Sequence, residues 1–108
     1  MITVSLIKEI QFISFFLKKK VAVSITIGEY KPVDFTIFED VLEVKYSGQT
    51  IWRESLSGAA ANFGVESCDT ILNIMAHIEK GEDWSHYVIN HVTASEPTIS
   101  LDSKPNLS

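Results

Sequence analysis

A chain of 108 residues with 45% hydrophobic and 10% aromatic side chains, three prolines and five glycines can bury one core, and it is too apolar to stay disordered. Its formal charge of −5 is unevenly spread: residues 1–20 carry four lysines against one glutamate, whereas the remainder carries five basic and thirteen acidic residues. That balance opposes broad contact with a phosphate backbone but leaves a local lysine cluster effective within a Debye length of about 8–10 Å.

The first predicted element is a helix over about residues 5–18, where Leu6, Ile10, Ile13 and Leu17 recur at three- and four-residue steps with Phe16 beside them. Thr3 or Ser5 caps it, and Lys18, Lys19 and Lys20 complement the helix dipole at its end. A competing reading makes residues 2–6 a short strand, because Ile2, Val4 and Leu6 alternate with Thr3 and Ser5. Lys8 and Glu9 interrupt the apolar run and the lysine cluster follows it, so it reads neither as a secretion signal nor as a spanning helix. The expected location is therefore cytoplasmic, with no membrane partner.

Strands follow. Val21, Val23, Ile25 and Ile27 alternate with Ala22, Ser24 and Thr26; Gly28 and Tyr30-Lys31-Pro32 supply a turn. Val33, Phe35 and Ile37 alternate with Asp34 and Thr36, Glu39-Asp40 breaks the pattern, and Leu42, Val44 and Tyr46 alternate with Glu43 and Lys45. Ser47-Gly48-Gln49-Thr50 then leads into Ile51, Trp52 and Arg53. Short connections imply an antiparallel meander of three to five strands across about residues 21–53, with one face buried and one wet.

The small residues from Ser57 to Gly64 suggest a turn or two of helix, Ser57 capping and Gly64 terminating it. A stronger helix is expected over about residues 69–80, with Cys68, Ile71, Leu72, Met75 and Ile78 on one stripe, Ser67 or Asp69 as cap and Gly81 just past the end. Residues 83–92 read as helix in preference to strand. The fold class is α+β: the meander packed by an N-terminal and a C-terminal helix, in one globular domain over residues 1–96 with an irregular tail at 97–108.

Few residue patterns carry chemistry. The lone cysteine, Cys68, excludes an internal disulfide and a cysteine-pair zinc site, and on an apolar stripe it reads as a small hydrophobe rather than a nucleophile. His86 and His91, five apart, diverge on a helix and face opposite ways on a strand, so they do not chelate together. Ser57 beside Gly58 lacks the strand-to-helix elbow of a hydrolase and reads as a cap. No metal or other cofactor is implied, and the chain is not expected to be an enzyme.

The remaining signal is a surface. Asp34 and Glu43 fall on the meander's wet face, and Phe38 and Trp52 have parity opposite to their apolar neighbours, so both rings are expected to face outward. The function this implies is a non-enzymatic binding module, a small acidic regulator or inhibitor that contacts a basic protein through Asp34, Phe38, Glu43 and Trp52. The alternative is an RNA- or single-strand-binding domain using Lys18, Lys19, Lys20, Lys45 and Arg53 with Trp52 as a stacking platform. A homodimer is compatible with either.

Overall fold

The computed structural model describes residues 2–58 and 61–87. They form helix α1 (Val4–Leu17), strands β1 (Val21–Ile25), β2 (Val33–Phe38), β3 (Val41–Tyr46) and β4 (Gln49–Ser55), helix α2 (Val65–Lys80) and a single helical turn, α3 (Ser85–Tyr87). The strands pair in chain order as one antiparallel sheet, β1-β2-β3-β4. The α+β reading holds, with four strands in the meander.

Two two-residue turns set the register. Phe38 pairs with Val41 across Glu39-Asp40, and Tyr46 pairs with Gln49 across Ser47-Gly48. All four turn residues have positive φ (51°, 62°, 53° and 79°), the twist that matches two adjoining antiparallel strands. Only Gly48 adopts that conformation without steric cost, so the Glu39-Asp40 turn carries backbone strain.

Inward side chains of the sheet, Val33, Phe35, Ile37, Leu42, Val44 and Tyr46, are sealed, each contributing about 1.5–3 kcal/mol of gross burial. One core cluster joins them to Ile7 and Ile10 of α1 and to Ile71, Ile74 and Met75 of α2, so both helices cover the same face. α1 lies nearest β1 and β2, and α2 nearest β4. Among the described residues no helix lies over the other face of the sheet, and along β2 exposure alternates with burial as a half-covered strand requires.

Two expectations about side-chain direction change. In β4 the pairing slips: Val44 faces Trp52 while Lys45 faces Thr50, which leaves Ile51 as the extra residue of a bulge. Beyond it the parity reverses, so Trp52 is not outward but fully buried, alongside Ile51. In α1 the stripe Leu6, Ile10, Ile13 and Leu17 is not the buried one; Ile7, Ile10 and Ser14 are. The helix is apolar on most sides from Ile10 onward, so periodicity alone does not choose a face. Ser14 chooses it, because its hydroxyl sits 2.8 Å from the Lys19 carbonyl and 3.2 Å from that of Ile37, tying the helix end to β2.

The termini of the helices follow capping chemistry. Thr3 caps α1, its hydroxyl accepting from the Leu6 N–H at 3.1 Å. α2 begins four residues earlier than expected, with Gly64 as N-cap, and Ser67 serves as an acceptor for the Gly64 N–H at 3.1 Å rather than as the cap. Gly81 ends α2 at φ 73° as expected. The expected short helix between Ser57 and Gly64 is absent among the described residues of that segment, and its residues 59–60 lie outside them. Asp83 accepts from the Ser85 N–H at 3.0 Å and opens the turn 85–87; residues 88–92, the tail at 97–108 and the domain boundary at residue 96 lie outside the described residues.

Candidate functional site

The outer face of the sheet holds Asp34 and Glu43, as expected, but they do not make a bare acidic surface. Asp34 stands opposite Lys45, and Glu43 stands opposite Arg53, with which it forms an ion pair at 3.5 Å. The carboxylates and the cations assigned by sequence to two different partners are thus interleaved, and their fields largely cancel beyond the pair.

Phe38 does face outward, 46% exposed, at the end of the sheet next to the β2–β3 turn. Trp52 does not join it. The indole packs edge-to-face on Phe63 at 6.4 Å and its Nε1 donates to Glu54 at 3.1 Å, while the other oxygen of Glu54 accepts from the Asn62 N–H at 3.3 Å. Glu54 is itself 6% exposed, so this group acts as a strut between β4 and the chain leading to α2.

The exposed apolar surface that sequence reading missed is on α1. Phe12, Phe15 and Phe16 are 66%, 73% and 73% exposed, and Ile13 and Leu17 are 42% and 48% exposed. Phe12 and Phe16 sit one turn apart with stacked rings, 6.3 Å between centroids, forming a ridge on the side away from the sheet. Phe15 lies on the flank facing the β2–β3 turn, where it and Phe38 both line a groove of about 270 Å³ with Ser14, Lys18, Glu39 and Asp40. A shallower groove continues from Phe38 over Thr36 and Val41 to Arg53, with Lys20 at its rim. The signal that could have found this surface was in the sequence: five large apolar residues in six, Phe12 to Leu17, more than one buried stripe of a two-layer domain can use.

Lys18 caps α1 in the left-handed conformation (φ 56°), so the chain turns sharply there and Lys18 and Lys19 enter the groove wall opposite Glu39 and Asp40. Asp40 is held in place by Gln11, whose amide donates to it at 3.1 Å, and by its own carbonyl, which accepts from Leu56 at 2.7 Å. The lysine triplet therefore borders acids rather than extending a positive track toward Lys45.

Two polar clusters lie elsewhere. The Tyr46 hydroxyl accepts from the Lys31 N–H at 3.2 Å and donates to Glu79 at 2.6 Å, locking the β1–β2 loop to α2; burial first, and then the Glu79 carboxylate, push its pKa up from 10.0. At the end of α2, His77 places Nδ1 2.6 Å from Glu82 and Nε2 3.5 Å from the Tyr87 hydroxyl, and the His86 ring stacks 4.1 Å from that of Tyr87. The αL residue Gly81 brings these together by folding the chain back on the helix, and the contacts secure the segment after it. His91 lies outside the described residues. Cys68 is buried, and burial followed by Asp69 raises its thiol pKa, which opposes thiolate formation. Among the described residues no group of three or more His, Cys, Asp or Glu is arranged to hold a metal, and no helix is long and apolar enough to cross a membrane.

Compared with protein-family models, curated proteins and solved structures, the chain matches none.

Proposed function

We infer that the chain is a non-catalytic protein-binding module that acts by occupying a surface of another protein, in the manner of a small regulator or inhibitor. The observation that carries this is the pair Phe15 and Phe38, solvent-exposed on two walls of one groove that is rimmed by both lysines and acids. An aromatic centre with a polar rim is the anatomy of a protein interface. The cross-strand placement of Asp34 opposite Lys45 and the ion pair of Glu43 with Arg53 shift the partner from the basic protein expected from composition to one that offers an apolar anchor flanked by charges of both signs. Single-strand nucleic acid is a poorer fit, because Trp52 is withdrawn from the sheet face and Lys18–Lys20 border Glu39 and Asp40.

Peptide display on the wild-type chain, counter-screened on a Phe15→Ser/Phe38→Ser double variant, tests this. Both positions are exposed, so the variant should fold as the wild type does by circular dichroism. Selected peptides should lose about tenfold or more in affinity for it. Enrichment indifferent to both substitutions would remove the groove as the docking site.

A further inference from the structure

The groove uses one flank of α1 and leaves the ridge of Phe12 and Phe16 without a role. We propose that this ridge is the contact for a second copy of the chain, in a two-fold dimer whose α1 helices run antiparallel across each other.

Area argues first. Phe12 and Phe16 with the exposed parts of Ile13 and Leu17, the flank of Phe15 and the lysine stems make a patch of roughly 600 Å² per protomer, at the lower bound of what a specific interface buries. Such a patch lies at the upper end of what the surface of a monomer exposes, where patches are often functional.

Charge then selects the occupant. An isologous contact meets its own copy, so its rim must complement itself. Along α1 stand Lys8 and Glu9, just beyond its end Lys18, Lys19 and Lys20, and across the groove Glu39 and Asp40, a nearly balanced set. A rim of that kind repels neither its symmetry mate nor itself, whereas an anionic lipid surface or a nucleic acid calls for a one-signed positive rim. Centring the two-fold axis between Phe12 and Phe16 sets each Phe12 against Phe16 of the partner subunit. Antiparallel helices also align their dipoles favourably.

Sedimentation velocity of the full chain over two decades of concentration tests the proposal. The expected result is a reversible monomer–dimer equilibrium, weakened about tenfold or more by Phe12→Glu or Phe16→Glu, both at exposed positions that leave folding intact. Phe38→Ser, which opens the neighbouring groove, should leave the dimer unchanged, so the dimer and the docking groove succeed or fail separately. A monomer at every concentration overturns the proposal. If that monomer co-sediments with vesicles of phosphatidylcholine and phosphatidylglycerol, and Phe12→Glu abolishes this, the ridge belongs to a lipid surface instead. A dimer unaffected by Phe12→Glu overturns the ridge as its contact.

Discussion

Replacing Trp52 separates a core residue from a contact residue, because the sheet bulge makes it the first where its parity suggested the second. The indole is completely buried. At about 25 cal/mol per Å², removing some 200–250 Å² of apolar surface gives a ceiling of roughly 5–6 kcal/mol, and large-to-small substitutions of aromatic core residues cost about 3–5 kcal/mol. Trp52→Ala also takes away the Nε1 donor to Glu54, a carboxylate that is itself 6% exposed. A net loss of about 4–5 kcal/mol is expected, a third or more of the total stability of a domain of this size. In thermal unfolding that corresponds to a drop of roughly 20 °C. Trp52→Phe keeps much of the ring and deletes the N–H, so it should cost about 2–3 kcal/mol, part of it from the one buried Glu54 oxygen that loses this donor. Urea unfolding followed by far-ultraviolet circular dichroism measures both. A loss below about 1 kcal/mol for Trp52→Ala would mean that the indole lies at the surface and that the bulge is misplaced.

Tyr46→Phe removes one hydroxyl that accepts from Lys31 and donates to Glu79, and should cost about 1–1.5 kcal/mol because both partners regain water. It should also change the alkaline limb of the stability curve: a phenol whose native pKa is raised stabilises fully below its ordinary value of 10.0, and that stabilisation is lost as pH climbs from there through the native value. The variant should lose stability less steeply above that pH in urea titrations, and an unchanged limb would contradict the bridge. At the β2–β3 turn, Glu39 occupies φ 51°, a conformation that asparagine tolerates better. Glu39→Asn should therefore raise stability by about 0.5–1 kcal/mol by the same unfolding assay, and a loss would show that the glutamate makes a compensating contact.

The elements of this fold were legible where one face of each is buried and the other wet. In β2 the alternation of Val33, Phe35 and Ile37 with Asp34 and Thr36 is the two-residue period of a half-covered strand, and the stripe of α2 from Cys68 to Ile78 is that of a helix seated on it. Direction failed where the pattern is locally degenerate. Ile51-Trp52 gives two adjacent large residues, and only the cross-strand register, in which Val44 meets Trp52 and Lys45 meets Thr50, turns both inward. From Ile10 to Leu17 nearly every position of α1 is apolar, so the seated face follows from a single hydroxyl, Ser14, bonding to β2. The same degeneracy hid the candidate surface: a stripe drawn through Leu6, Ile10, Ile13 and Leu17 leaves Phe12 and Phe15 without an assignment.

Among the described residues, Phe12 and Phe16 have no part in the core cluster. Each stands about two-thirds in water and stacks mainly on the other. At these solvent-facing helix positions lysine, glutamate or alanine would favour the helix more than phenylalanine by a few tenths of a kcal/mol each. Folding therefore supplies no reason for the ridge, and solubility supplies a reason against it. The proposed contact with a second copy supplies a reason for it. A contact of roughly 600 Å² per side, once the entropy of association is subtracted, leaves a modest net affinity. An interface of that strength responds to concentration, and the neighbouring Phe15–Phe38 groove lies close enough along α1 for a partner bound there to bias it.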